Sequence, residues 1–171
     1  MAIIAKASVP KKPRNIASAN VAIVQAIQAN AFGRPSFHII FKIDPFKSLV
    51  FPRPIGWISS INKNGVANLA PYSYFNAVAD EPPQVMFCSN GSSAHGKYKD
   101  SLSNILSTKE FVVNFVTSSL RNQMNISSRD FKPDEDEFVL SNCKKKKSRL
   151  VKVPSVKDSP VTVSYTHLTL P

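Results

Sequence analysis

The sequence has few of the residues that most often hold metals or form disulfides. Cysteine occurs twice, at Cys88 and Cys143, without the paired spacing of a zinc motif or a disulfide framework. The three histidines, His38, His95 and His167, lie far apart and form no ligand pair. These shortages predict a protein of a reducing compartment with no metal site.

Glycine and clustered catalytic groups are also scarce. The five glycines form neither the GxGxxG pattern of a dinucleotide-binding turn nor the GxxxxGK[ST] pattern of a phosphate-binding loop. Cys88 has no partnering base nearby in the sequence and is interpreted as a small core residue. The four consecutive acids at residues 134–137 are interpreted as a solvated loop. The sequence therefore indicates none of the common nucleophilic or acid/base sites.

Long apolar runs are absent. The longest, VAIVQAI and FVVNFV, are interrupted by polar residues well short of the ~20 residues that span a bilayer. We therefore expect a soluble protein with no membrane partner. The expected location is the cytoplasm, and the alternative is the mitochondrion, because the basic, acid-free start is compatible with a transit peptide.

Acidic residues are almost missing from the two ends of the chain. The formal net charge is +11, yet residues 1–42 hold six basic residues and no acid, and residues 144–171 hold seven and one. Residues 44–143 hold nine basic and ten acidic residues, so the centre is not basic. The lysine run at residues 144–147 has no adjacent aromatic residue and is interpreted as a solvated loop. We expect no nucleic-acid partner, and we expect residues 1–43 to be a basic leader that is disordered or acts in targeting.

Short apolar segments separated by turn residues begin near residue 46. The pair Asn64-Gly65 predicts a tight hairpin turn between two strands. Apolar residues at helical spacing predict a helix over residues 100–108, with Asp100 or Ser101 as its N-cap. Strands are predicted at residues 48–51, 55–61, 66–69, 84–89 and 111–117, and a second helix at residues 118–125. Many short strands with two small helices indicate a compact β-barrel with helical decoration.

Small polar residues are concentrated at residues 59–75 and 89–104. Such groups are weak acids and bases, but they suit hydrogen bonding to a planar heteroaromatic ligand and a phosphate. Lys99 adds a positive charge and Ser101 a hydroxyl, and the helix predicted to begin near Asp100 adds unpaired N–H groups. The sequence therefore predicts an anion site at the start of this helix.

Several motifs resemble those of one known family. DPFKSLVFPRPIGWISS at residues 44–60 and NLAPYSYFN at residues 68–76 carry most of the resemblance. PPQVMF, the triplet KDS at residues 99–101, and EFVVNF match the family in position and order. From residue 44 to about residue 163, the chain is identified as a member of the flavin reductase-like, FMN-binding split-barrel family.

The resemblance implies a mainly β split barrel with short helices, incomplete at the C-terminus, that forms a homodimer with FMN near the subunit interface. The residues that would line the isoalloxazine ring and the ribityl chain are Ser59, Ser60, Asn68, Ala70, Pro71, Tyr72, Ser73 and Phe75. Those that would hold the phosphate are Ser89, Lys99 and Ser101.

The resemblance also implies an oxidoreductase in which NAD(P)H, as co-substrate, passes hydride to FMN. No catalytic side chain is expected, because the protein positions two rings and tunes the flavin through hydrogen bonds. The reduced flavin would then serve a partner oxygenase or another electron acceptor. The alternative is an FMN-binding electron-transfer or flavin-storage module without turnover of its own.

The end of the chain departs from the family pattern. Residues 164–171 look like a translated cloning or sequencing adaptor, and we expect them to be a non-native tail in place of further strands. The domain at residues 44–163 would then be partial, with its barrel open at an unpaired strand edge. We expect this chain to bind FMN weakly or not at all, and the naturally completed chain to bind it.

Overall fold

The computed structural model describes residues 2–7, 50–90 and 98–169. Nine strands are described there: β1 (Ala2–Ala7), β2 (Gly56–Ile61), β3 (Ala67–Tyr72), β4 (Phe75–Asp80), β5 (Pro83–Cys88), β6 (Phe111–Asn114), β7 (Lys145–Lys146), β8 (Ser155–Val156) and β9 (Thr162–Thr169). The helices of the same ranges are α1 (Asp100–Thr108), α2 (Arg121–Ile126) and α3 (Glu137–Leu140), with a 3-10 turn at Ser118–Leu120. The predicted class, mainly β with short helices, is confirmed.

Seven strands form one sheet in the order β3-β2-β6-β9-β1-β5-β4, and β7 pairs with β8 in a separate ribbon. Every neighbouring pair is antiparallel. Strands β2 and β3 are joined by the predicted tight turn, in which Gly65 has a φ of 81°. Asn62 Oδ1 accepts hydrogen bonds from the backbone N–H groups of Asn64 and Val66, which fixes the turn.

Successive residues of β2 point to opposite faces of the sheet, and each face has its own core. Ile58 packs in one cluster with Phe87, Phe111 and Ile105 of α1. Trp57 packs on the opposite face, in a cluster completed by residues of α3 and β8. Burying each large side chain contributes roughly 1.5–3 kcal/mol, so both clusters hold β2 and β3 firmly beside the helices.

Strand β9 lies inside the sheet, where it pairs with β6 on one side and with β1 on the other. Tyr165 is 4% exposed, and its ring stacks on Phe111 with 5.0 Å between centroids. Residues 164–171 are predicted from the sequence to be a tail beside an open barrel; in the structure, the residues up to Thr169 are paired strand. The difference arises because β9 is stabilised by neighbours distant in sequence. That these residues derive from an adaptor stays a prediction.

Strand β1 comes from the segment interpreted as a disordered or targeting leader. Residues 2–7 pair with β5 and β9, and Ile3 is fully buried in the cluster that contains Phe87. For these six residues the structure differs from the predicted disordered leader, because they form a strand that is paired on both sides. The rest of the leader, residues 8–43, lies outside the described residues, as do residues 48 and 49 of the strand predicted at residues 48–51. Residues 50 and 51 are described and are not in a strand.

The helices differ from the prediction mainly at their starts. Helix α1 spans the predicted residues, but its N-cap is Lys99, which makes no side-chain capping bond, rather than Asp100 or Ser101. Helix α3 begins inside the predicted acidic loop, and Asp136 caps it by accepting from two backbone N–H groups. None of the helices in the described part of the chain has the length and apolar composition needed to cross a bilayer.

Candidate functional site

A cavity of about 430 Å³ opens where β3, the β3–β4 turn, the start of α1 and the segment after α2 meet. It is lined by Asn68, residues 70–74, Cys88, Asn90, residues 99–101, residues 127–131 and Glu137. A concave site of this volume, with both aromatic and hydrogen-bonding side chains, suits a small organic ligand.

Most of the residues implied by the resemblance lie together in this cavity. Seven of the eleven line it: Asn68, Ala70, Pro71, Tyr72, Ser73, Lys99 and Ser101. They come from β3, the following turn and the first turn of α1, which are separate in sequence. The motifs of the sequence therefore predict residues on both sides of one cavity. The remaining four, Ser59, Ser60, Phe75 and Ser89, do not line it.

The side chain of Asn68 links the two sides of the cavity. Its Oδ1 accepts hydrogen bonds from Ser101 Oγ at 2.7 Å and from Ser60 Oγ at 3.3 Å. Ser60 Oγ in turn accepts from Asn104 Nδ2 at 3.2 Å. Ser60 is fully buried, so its contribution to the site is to orient Asn68. This network explains why β3 and α1 keep a fixed relative position.

Glu137 is a buried acid that sequence reasoning missed. It is 5% exposed, and its two carboxyl oxygens accept hydrogen bonds from Asn68 Nδ2 and the Leu69 N–H, both at 2.7 Å. Burial raises the pKa of Glu137 to about 8, although the hydrogen bond from the Leu69 N–H acts in the opposite direction. The interpretation of residues 134–137 as a solvated loop is therefore wrong for Glu137. In the sequence, Glu137 cannot be distinguished from the three acids before it. Its burial depends on contacts with β3, which lies almost seventy residues earlier in the chain.

Ser59 lies on the other face of β2 from Ser60, as the strand alternation requires. Its hydroxyl donates to the carbonyl oxygen of Pro154 at 2.7 Å and accepts from Asn114 Nδ2 at 3.2 Å. Asn114 also accepts from the Val156 N–H. These contacts tie β2 to the β8 segment, and Ser59 does not line the cavity.

Phe75 and Ser89 lie behind the cavity wall. The Phe75 ring covers Gly56 so closely that a Cβ at that glycine would lie 2.4 Å from Phe75 Cδ2, which explains why glycine occupies that position. Ser89 is 3% exposed. Burial raises the pKa of Tyr72, and hydrogen bonds with the side chains of Ser101 and Ser89 partly oppose that rise. Both residues therefore contact the cluster or the hydroxyl of Tyr72, which does line the cavity.

The polar groups of the cavity include two cations, Lys99 and Arg129. Lys99 precedes α1, whereas Arg129 follows α2 and was not predicted. Ser128, which carries a hydroxyl, directly precedes Arg129 in the sequence. The sequence signal for these two residues was the SSRD segment at residues 127–130, which follows a predicted helix. Acids at positions 100 and 130 keep the opening from being uniformly positive.

Aromatic side chains form another part of the lining. Tyr72, Tyr74 and Phe131 lie around the cavity, and the Arg53 guanidinium sits over the Tyr74 ring, 5.4 Å from its centroid. Planar ligands pack well on such surfaces. Rings, hydroxyls and two cations together fit the combination of heteroaromatic ring and phosphate expected from the sequence.

The comparison with known proteins identifies the family of the chain. Residues 47–165 match the flavin reductase like domain family, which covers well over half of the chain. The chain therefore belongs to the flavin reductase-like family. The family match includes the cavity residues of β3, α1 and α3.

Individual proteins show the same relationship. An uncharacterized protein of Aquifex aeolicus is 43% identical over 114 residues, which cover 67% of this chain and 58% of that protein. The chain thus spans little more than half of this relative. Nitrilotriacetate monooxygenase component B from Bacillus cereus has a similar structure, with a TM-score of 0.65 and 29% identity over 86% of this chain and 68% of its own.

A third comparison concerns the fold alone. A flavin reductase-type protein with a split barrel domain from Shewanella frigidimarina has a TM-score of 0.57 and 21% identity, over 66% of this chain and 54% of its own. The fold is thus a flavin reductase-like split barrel, as predicted.

Proposed function

We propose that the chain is the FMN-binding part of an oxidoreductase that transfers hydride from NAD(P)H to flavin. The observation that carries the proposal is the cavity at Asn68, which combines aromatic walls with hydroxyls and two cations. Membership of the flavin reductase-like family supports a flavin as the aromatic ligand. When bound, FMN supplies the redox-active ring, which the protein side chains of the site cannot replace.

The residues divide by what they would hold. Lys99, Arg129 and the hydroxyls of Ser73 and Ser128 supply charge and hydrogen bonds for the phosphate. The backbone and side chains of residues 70–72 and Tyr74 supply a surface for the ring. Charged donors are the strongest partners for phosphate oxygens, so the two cations should dominate the affinity for the phosphate.

The site needs no general acid or base for this reaction, because hydride passes between two bound rings. The contribution of the chain is to bind the ring, to orient it and to exclude water from one side. Glu137 serves that purpose indirectly, since it fixes the Asn68 amide and the Leu69 backbone.

The sequence analysis expected weak FMN binding from an incomplete barrel. The cavity lining comes from residues 68–137, and β9 lies paired between β6 and β1. We propose FMN binding on the first of these observations, although β3 and β4 are edge strands of the sheet in the described part of the chain. Under this proposal, the chain as it stands binds FMN.

The partners belong to the proposal as well. A homodimer is expected with FMN near the interface, and the reduced flavin would go to an oxygenase or another electron acceptor. The likeness to component B of nitrilotriacetate monooxygenase favours the oxygenase, because that protein is one component of a monooxygenase. The cytoplasm remains the proposed location, with the mitochondrion as the alternative.

The direct test titrates the purified chain with FMN and follows the quenching of flavin fluorescence. Lys99→Gln should raise the FMN dissociation constant about tenfold, since it removes one charged hydrogen bond to phosphate. Lys63→Gln is the matched control, because Lys63 is an exposed lysine in the β2–β3 turn. Equal affinities of both variants and the wild type would place the phosphate elsewhere.

A second measurement separates the enzyme from the storage module. Mixing the FMN-loaded protein with NADH or NADPH and excess free FMN should give catalytic oxidation of the nicotinamide. Stoichiometric FMN binding without such turnover would assign the chain to the electron-transfer or storage alternative.

A further inference from the structure

A second cavity, which we call the basic cavity, lies in the part of the chain after α3. Its volume is about 260 Å³, and its lining comes from residues 146–150 and 162–164 together with Ser155. It shares no residue with the cavity at Asn68. Its lining contains no acid, and its cations are Lys146, Lys147 and Arg149.

The lysine run of the sequence contributes Lys146 and Lys147 to the lining of this cavity. Its four side chains are exposed, as predicted for a solvated segment, but two of its residues form a short strand rather than a loop. Lys145 and Lys146 form β7, which pairs with β8 at Val156 and Ser155. The Lys157 N–H donates to the carbonyl oxygen of Lys144 at 2.8 Å, which extends the pairing. The backbone of Lys145 and Lys146 is therefore held in place, so a ligand that binds has to order the exposed side chains but not this part of the backbone.

The cations of this segment differ in whether they have an ionic partner. Lys145 forms an ion pair with Asp136 and lies over the Phe138 ring. Within the ranges that the structure describes, Lys146, Lys147 and Arg149 form no ion pair. Like charges around one cavity repel one another, and an anion between them would offset that repulsion.

A shielded hydroxyl gives a second, independent observation. Ser148 lies between the cations in sequence and lines the basic cavity. Its Oγ is buried and has no hydrogen-bond partner among the residues described. Leaving a buried hydroxyl without a partner is unfavourable, so we expect the Ser148 side chain to turn toward the cavity and donate to a ligand oxygen when an anion binds.

We propose that the basic cavity binds a compact anion with two or three phosphate groups, in addition to the ligand of the cavity at Asn68. Guanidinium, ammonium and hydroxyl donors are the groups that recognise phosphate oxygens. The lining contains no aromatic side chain on which a nucleobase could stack. A small polyphosphate therefore fits this site better than single-stranded nucleic acid does.

Inorganic pyrophosphate is the probe, measured by isothermal titration calorimetry on the FMN-saturated protein so that the first cavity is filled. The triple variant Lys146→Gln, Lys147→Gln, Arg149→Gln should weaken binding at least tenfold. Lys152→Gln is the matched control, because Lys152 is exposed in the same basic segment but does not line the cavity. The control should change the affinity less than twofold. An equal loss of pyrophosphate affinity in the triple variant and in Lys152→Gln, or no binding of pyrophosphate to the wild type, overturns the proposal.

Lysine acetylation of the wild-type protein gives a readout that does not depend on a variant folding. Pyrophosphate should slow the acetylation of Lys146 and Lys147, as followed by mass spectrometry, and leave Lys63 and Lys152 unaffected. Uniform protection of all four lysines would contradict a specific site. Tighter binding of a single-stranded oligonucleotide than of pyrophosphate, lost in the triple variant, would assign the surface to nucleic acid and overturn the proposal.

Discussion

At the scale of single residues, Asn68 is where the polar contacts of the candidate site converge. Its amide is held from three sides, by Glu137, Ser101 and Ser60. A side chain whose donor and acceptor atoms are all used cannot rotate without breaking bonds. The site is therefore ordered before a ligand arrives, which lowers the entropic cost of binding.

Replacing Asn68 should affect both stability and binding. Asn68→Ala leaves the buried Glu137 carboxyl with one partner fewer, and we expect the free energy of unfolding to fall by about 1–3 kcal/mol. The FMN dissociation constant should rise about tenfold, because β3 and α1 lose their link. Urea unfolding and fluorescence titration measure the two effects, with Asn122→Ala on exposed α2 as the control. A variant with unchanged affinity would show that the network is not part of the binding site.

Glu137 should make stability depend on pH. Its pKa is about 8 in the folded protein and ~4.3 in an unfolded chain, so between these values the folded state holds more protons. The free energy of unfolding attributable to Glu137 therefore falls as pH rises from ~4.3 to about 8, by at most ~1.4 kcal/mol per pH unit, and is constant above that. In Glu137→Gln this contribution is absent, so the variant should gain stability relative to the wild type as pH rises.

The measurement is the difference in urea unfolding free energy between wild type and Glu137→Gln at several pH values. Asp134→Asn is the matched control, since Asp134 is an exposed acid of the same segment. A constant difference from pH 5 to pH 8 would mean that Glu137 is ionised throughout, held so by its two N–H donors.

At the scale of elements, local signals and long-range pairing explain what the sequence could and could not predict. The β2–β3 hairpin follows from Asn64-Gly65, and α1 follows from its apolar spacing, because both depend on neighbours in sequence. Strands β1 and β9 were not predicted, since their partners lie about fifty or more residues away. The same distinction holds for the site. Lys99 and Ser101 were predicted from motifs, whereas the places of Glu137 and Arg129 in the site depend on tertiary contacts.

The position of β9 can be tested through Tyr165. If β9 is an interior strand, Tyr165→Ala removes a 4% exposed ring stacked on Phe111, and the free energy of unfolding should fall by roughly 3 kcal/mol. Thr162→Ala in the same strand removes an exposed side chain and should change it by less than ~0.5 kcal/mol. Equal, small effects in chemical denaturation would mean that residues 162–169 are a tail, as the sequence analysis expected.

At the scale of the whole molecule, the net charge of +11 does not describe the candidate site. Residues 44–143, which contain the whole lining of the cavity at Asn68, hold nine basic and ten acidic residues. The basic cavity instead draws on the positive C-terminal part of the chain. The molecule thus separates a nearly neutral pocket suited to a ring and one phosphate from a strongly positive one suited to several phosphates.

The central claim, that FMN occupies the cavity at Asn68, is tested most directly by hydrogen–deuterium exchange of the chain with and without saturating FMN. The account predicts slower amide exchange in residues 68–74, 99–101 and 127–131, with little change in β7 and β8. Protection confined to other segments, or unchanged exchange at saturating FMN, would contradict it.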